Sequence, residues 1–149
     1  MTDTDWRLLT EASGQDIVRA PVNTAAKVGS QAMFNCTTDK GTDPDEDVIW
    51  EYNQPGLKYA VRIYDSADGD IKTKYRDQFG IELDDMNGAH NLLIKDVQMN
   101  LAVTYVCGLK ENGQKAAADL IALSTDSCFT VSLWNIGQHI SYIIMLINF

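Results

Sequence analysis

The feature that most constrains the fold of this chain is the spacing of four residues. Cys36 is followed fourteen residues later by Trp50, and Cys107 comes after a further 56 intervening residues, with Tyr105 two positions before it. Each lies in a short run that reads as a strand, with alternation clearest around Cys36 and Trp50. Turn residues separate these runs, so the sequence predicts an all-β fold.

Nine such runs can be placed between residues 16 and 123. Pro21 ends the first and indicates an edge strand, because proline cannot donate to a central ladder. In the second, Cys36 points inward and Asn35 outward. Asn112-Gly113 predicts a hairpin turn before the last strand. The predicted strands, labelled A, B, C, C′, C″, D, E, F and G in chain order, cover residues 16–20, 31–37, 47–53, 58–64, 71–74, 78–83, 92–97, 102–110 and 114–123.

This combination resembles the immunoglobulin superfamily, and the long interval from Trp50 to Cys107 resembles its variable-type (V-set) branch. The resemblance covers residues 16–123 and implies an immunoglobulin-like, two-sheet antiparallel Greek-key sandwich of about nine strands. It also implies a disulfide bond from Cys36 to Cys107, with Trp50 packed on the bridge and the Tyr105 hydroxyl anchoring a corner. Such a bond indicates an oxidising compartment.

Local segments strengthen the resemblance, and two features depart from it. In most V-set domains an aspartate six residues before the second cysteine pairs with an arginine that opens strand D. Leu101 stands at that position here, which leaves the partner of Arg76 open. The last strand also lacks the Phe/Trp-Gly-x-Gly segment of rearranging receptors. The segments that carry the resemblance are Lys27-Val28-Gly29-Ser30, Trp50-Glu51-Tyr52, Val61-Arg62-Ile63-Tyr64-Asp65 and Tyr105-Val106-Cys107.

The charge and the motif content exclude two classes of function. Lys and Arg number 12 against 21 Asp and Glu, so the formal net charge is -9. A surface this acidic repels phosphate backbones, and we therefore expect no nucleic-acid partner. The histidines are His90 and His139, and neither Gly-x-Ser-x-Gly nor His-Glu-x-x-His occurs. We expect no enzyme and no cofactor.

The two ends differ from the domain between them. Residues 1–15 lack the basic start and apolar core of a secretory signal, and are predicted to be an N-terminal tail. Residues 124–149 form an apolar tail, in which Cys128 indicates intermolecular pairing or a free thiol. Residues 128–149 approach the length of a membrane span, but polar residues interrupt them. A membrane anchor, a lipid-anchor signal, an extra strand or helix, and sequence outside the natural folded unit are all open.

Carboxylates in two predicted loops form the most unusual chemical feature. V-type connectivity places both loops, between strands B and C and between C′ and C″, at the same end of the sandwich. The carboxylates could be solvated, could receive a basic protein partner, or could hold calcium, which takes about six to eight oxygen ligands. Residues 65–70 do not match the EF-hand spacing, and no metal is assigned. The acidic residues are Asp39, Asp43, Asp45, Glu46, Asp47, Asp65, Asp68 and Asp70.

The segment Asn35-Cys36-Thr37 matches the Asn-x-Ser/Thr acceptor of N-glycosylation. Because Asn35 points outward, a glycan can fit there. The alternative is an unmodified strand residue.

The outward face of strands G, F, C and C′ is a surface that V-type domains commonly use for pairing. Apolar and aromatic side chains beside an arginine fit a modest protein interface, and the alternative is a solvated sheet face. Alternation places on this face Ile49, Glu51, Asn53, Arg62, Tyr64, Val106 and Lys110.

We therefore expect a non-catalytic recognition or adhesion module, extracellular or at the cell surface, that binds a protein ligand or itself. Residues 128–149 could anchor it to a membrane. One alternative is a structural immunoglobulin module of an intracellular filament protein, in which the cysteines stay reduced. Another is a calcium-dependent ligand-recognition domain of innate immunity. The fold itself does not identify the partner.

Overall fold

The computed structural model describes residues 16–39, 47–124, 129–135 and 138–144. Within these ranges the chain contains no α-helix, and strands are joined by turns and short 3-10 segments. The strands are β1 (Ile17–Arg19), β2 (Thr24–Lys27), β3 (Ala32–Phe34), β4 (Thr37–Thr38), β5 (Val48–Tyr52), β6 (Val61–Asp65), β7 (Asp70–Ile71), β8 (Phe79–Asp84), β9 (Ala89–Ile94), β10 (Thr104–Leu109), β11 (Lys115–Leu123), β12 (Phe129–Asn135) and β13 (Gln138–Ile144).

Two packed sheets form a sandwich, which confirms the predicted fold class. In the five-stranded sheet, β9 pairs with β8 and with both β3 and β4, and β1 pairs with β4. The six-stranded sheet has the order β2-β11-β10-β5-β6-β7. Its pairs are antiparallel except β2 with β11, which run parallel. With its buried disulfide, the sandwich is consistent with an immunoglobulin-like domain.

The N-terminal segment contributes to both sheets, which the sequence did not reveal. β1 pairs in one sheet and β2 in the other, and the buried Pro21 lies between them. Proline has no N–H to donate, so the ladder of the first sheet cannot continue through it. Each of the nine predicted segments overlaps a strand, but the second is divided into β3 and β4. The fifth, residues 71–74, is strand only at Ile71, because Thr73–Tyr75 forms a 3-10 segment. The strand β2, which pairs with the last strand, was not predicted.

The core between the sheets is built on the bridge from Cys36 to Cys107, both of which are completely buried. Trp50 is also fully buried, as predicted. The Tyr105 ring lies 5.1 Å from that of Phe34, measured between centroids. Its hydroxyl donates to the Leu101 carbonyl at 2.9 Å, which is the predicted corner contact. Aromatic burial of this kind supplies most of the stabilisation of a small core.

The division of the second strand has a specific cause. The Trp50 indole N–H donates to the His90 carbonyl at 2.8 Å. In a regular antiparallel ladder that carbonyl would accept from the Cys36 N–H, because the His90 N–H donates to the Cys36 carbonyl at 2.8 Å. The Cys36 N–H donates instead to the Asn91 side chain at 3.1 Å. A side-chain amide thus replaces one ladder bond beside the disulfide.

The C-terminal segment forms a separate antiparallel hairpin of β12 and β13, paired from Phe129 opposite Ile144 to Asn135 opposite Gln138. Of the alternatives for the tail, the extra strand is the one that its described residues adopt. No helix in the described ranges is long and apolar enough to cross a membrane. Cys128 and residues 1–15 lie outside the described residues.

Substitution of Gly88 by alanine should destabilise the sandwich. Gly88 ends the turn between β8 and β9 at φ 70°, and a Cβ there would collide with the Thr38 carbonyl oxygen. Gly113→Ala is the matched control, because Gly113 has the same φ of 70° and open space around it. Left-handed strain costs about 1 kcal/mol, and the collision should raise the loss in Gly88→Ala to about 3 kcal/mol. Urea unfolding measures both, and equal losses would contradict this account.

Candidate functional site

Six charged side chains form one connected network on the outward face of the six-stranded sheet. We call this network the charged strip, and its members come from β5, β6, β11 and the segments that flank them. They are Lys115, Glu51, Arg62, Asp65, Lys110 and Asp47. Strand pairing rather than chain proximity assembles it, because these residues are spread over positions 47 to 115.

Glu51 occupies one half of the strip. β5 pairing places it opposite Arg62, whose Nη2 lies 3.2 Å from Glu51 Oε1. Its other oxygen, Oε2, lies 3.3 Å from Lys115 Nζ. The Glu51 side chain is only 13% exposed, so its carboxylate is largely removed from water, and two cations, Arg62 and Lys115, balance its charge.

Lys110 occupies the other half, between two carboxylates. Its Nζ lies 2.7 Å from Asp65 Oδ2 and 2.9 Å from Asp47 Oδ2. Arg62 Nη1 lies 3.5 Å from Asp65 and joins the two halves. The predicted convergence of the two acidic loops is therefore seen for Asp47 and Asp65, and an ammonium group fills the space between them.

These contacts shift two pKa values. Burial alone would raise the pKa of Asp65, but hydrogen bonds from Lys110 and from the Ala67 N–H, with the nearby Arg62 charge, hold it below its ordinary value. The pKa of Lys110 is raised by its hydrogen bonds to Asp65 and Asp47. Each group thus stabilises the charged form of the other.

Two predicted members of the interface do not lie on the surface. Ile49 is outward-facing but only 4% exposed, because it lies opposite Gly108, where the missing side chain leaves room for it. Tyr64 is 1% exposed, and its predicted outward placement is wrong. A bulge in β6 pairs Tyr64 with Trp50 and Arg62 with Glu51, which turns the tyrosine inward.

The buried Tyr64 contacts a histidine that the sequence reasoning did not use. Its hydroxyl lies 3.1 Å from His90 Nδ1. Burial, together with the charges of Asp65, Asp85 and Asp70, raises the pKa of Tyr64 to about 12. Burial lowers the pKa of His90, although the charge of Asp85 opposes this. Both groups are therefore neutral near pH 7, and this pair belongs to the core rather than to the surface.

The remaining predicted surface residues do not belong to the charged strip. Asn53 is exposed, and Val106 is half-buried opposite Glu51. Asp39 and Asp68 are exposed. Asp43, Asp45 and Glu46 lie outside the described residues. Among the residues that are described, no group of three or more His, Cys, Asp or Glu side chains is placed to hold a metal ion.

The open question of the Arg76 partner has an answer in the second acidic loop. Arg76 Nη2 lies 3.1 Å from Asp70 Oδ2, and its Nε donates to the Ile71 carbonyl at 3.1 Å. Asp70 thus takes the place of the aspartate that Leu101 replaces. Both side chains are more than half exposed, so the pair contributes little stability.

No protein-family model matches the chain, and no curated protein sequence matches it. The domain is accordingly characterised by its own architecture of two packed sheets, a buried disulfide and a charged strip on one face.

Asp65→Asn should weaken the dependence of stability on acid pH. The pKa of Asp65 is lower in the folded protein than in the unfolded chain, where the pKa of aspartate is about 3.9. Its stabilising contribution is therefore full above that value and is lost as pH falls through the folded-state pKa. Urea unfolding from about pH 5 to about pH 2 should show a steeper loss in the wild type than in Asp65→Asn. Asp68→Asn, which removes an exposed carboxylate, is the matched control, and identical slopes in all three proteins would contradict the role of Lys110.

Proposed function

We propose that this chain is a V-set immunoglobulin domain that acts as a non-catalytic recognition or adhesion module, outside the cell or at its surface. Its partner surface in this proposal is the outward face of β11, β10, β5 and β6. The partner is protein, and the first candidate is a second copy of the chain.

Three features support the V-set assignment. The N-terminal segment divides between the two sheets as β1 and β2, and β6 and β7 extend the second sheet beyond β5. The Tyr105 corner contact accompanies the bridge. A bridge of this kind persists in oxidising compartments, which supports an extracellular location.

Charge balance is the observation that carries the proposed partner surface. The charged strip contains three cations and three anions, so it is neutral, and the other residues carry the whole net charge of -9. Two copies of an acidic protein repel each other at most orientations. Repulsion is smallest where the neutral strip of one copy meets that of another, and complementary charges then favour one register.

The same face has the apolar centre and polar rim of a protein interface. Val106 is half-buried and Ala117 is exposed, and β10 and β11 pair them directly opposite each other. Glu51 and Lys115 flank them. In the β5–β6 connection, Leu57 and Tyr59 are 50% and 76% exposed, and exposed aromatic side chains are frequent anchors at interfaces.

Ala117→Glu should weaken self-association. The substitution adds an uncompensated charge at the centre of the face, where the contact area of two copies would exclude water. Sedimentation velocity over a concentration series measures the association constant of each protein. The constant of Ala117→Glu should be lower than that of the wild type by at least about tenfold, which corresponds to about 1.4 kcal/mol.

Met86→Glu is the matched control, because Met86 is 88% exposed in the turn between β8 and β9, on the other sheet. It should associate as the wild type does. A wild type that remains monomeric at every concentration contradicts pairing of copies. Free thiols at Cys36 and Cys107 in protein recovered from its native compartment contradict the extracellular setting and favour the intracellular structural alternative.

A further inference from the structure

A groove on the outward face of the five-stranded sheet lies on the opposite side of the sandwich from the charged strip. Its volume is about 560 Å³, within the range of roughly 300–1,000 Å³ typical of ligand clefts. The lining comes from β1, β4, β8, β9 and the turn between the last two. The members that matter here are Arg19, Thr37, Glu82 and Asn91.

The lining contains polar groups that form no hydrogen bond or ion pair with other described residues. Within the described ranges, the side chains of Arg19 and Glu82 make no ion pair or hydrogen bond. The Asn91 Oδ1 accepts from Cys36, which leaves its amide N–H groups to donate elsewhere. Donors and acceptors together are suited to the hydroxyl groups that edge a sugar ring.

Asn35 lies beside two residues of this lining, Thr37 and Asn91. Its neighbours Phe34 and Cys36 are buried at 1% and 0%, so Asn35 faces outward, on the groove side of the sheet. The register of β3 and β4 on β9 places it opposite Asn91, and Thr37 is two residues along the same row. The Asn35 side chain is half-buried and makes no hydrogen bond within the described ranges.

We propose that Asn35 carries an N-linked glycan and that this groove holds its first sugar residues. The donor is a lipid-pyrophosphate-linked oligosaccharide of the secretory pathway. Asn35 Nδ2 forms a bond to the anomeric carbon while the bond from that carbon to the pyrophosphate oxygen breaks. One amide proton is released, the lipid pyrophosphate leaves with the electron pair of the broken bond, and nothing is oxidised or reduced.

This inference rests on the extracellular setting of the proposed function and deepens it. A glycan in the groove covers the outward face of the five-stranded sheet. Protein contacts are then confined to the six-stranded sheet, where the charged strip lies.

The modification itself is tested by mass spectrometry of the chain secreted from glycosylating eukaryotic cells behind a supplied leader. The wild type and Thr37→Ser, which keeps the acceptor, should carry a glycan at Asn35. Asn35→Gln and Thr37→Ala should not. A wild type that is secreted and disulfide-bonded but unmodified at Asn35 overturns the inference and leaves pairing through the charged strip intact. Retention in the cell with reduced cysteines overturns both.

The role of the groove is tested after an endoglycosidase has trimmed the glycan to its first sugar. The melting midpoint of the trimmed protein should exceed that of Asn35→Gln by about 3 °C. In the Glu82→Ala and Arg19→Ala backgrounds this difference should fall by half or more, because the sugar loses hydrogen-bond partners.

Glu111→Ala is the matched control, since Glu111 is exposed in the turn between β10 and β11, outside the groove. It should keep the full difference. A difference that is equal in all four backgrounds overturns the seating of the sugar in the groove.

Discussion

The bridge between Cys36 and Cys107 is the constraint on which the rest of the sandwich depends. It joins the two sheets across a sequence separation of 71 residues, and chain-entropy estimates for loops of this size give about 4 kcal/mol of stabilisation. Small domains are stable by only about 5–15 kcal/mol, so this one bond is a large fraction of the total. It also fixes the distance at which Trp50 and the aromatic residues around Tyr105 must pack.

The tryptophan on the bridge shows how one buried polar group determines the arrangement of others. Its indole N–H requires an acceptor in the core, and the His90 carbonyl supplies it. That leaves the Cys36 N–H without its ladder partner, and Asn91 satisfies it. Burying a polar group without a partner costs about 1–3 kcal/mol, so the exchange matters because it leaves both N–H groups with a partner although the strand is interrupted.

The fold could be predicted further than the site. Patterns within single segments located most of the strands and gave the inward side of Cys36 and Trp50, because that information is local; the segment 71–74 is strand only at Ile71. The inward turn of Tyr64 depends on a bulge opposite β5, and no pattern within residues 58–64 reveals it. The position of Lys110 between two carboxylates likewise depends on three segments that only the tertiary fold brings together. Sequence separation, rather than residue type, limited the prediction.

The parallel pairing of β2 with β11 affects how the domain would respond to force. Tension that reaches β2 from the N-terminal side and β11 from the C-terminal side pulls the two strands in opposite directions along their common axis. The hydrogen bonds between Thr24–Lys27 and Leu120–Leu123 are then loaded together in shear, rather than opened one after another. Behind that edge the covalent bridge prevents the segment it closes from extending. Once β1 has separated from β4, a domain tethered at both ends would therefore resist extension at this short, well-defined edge while its core stayed folded.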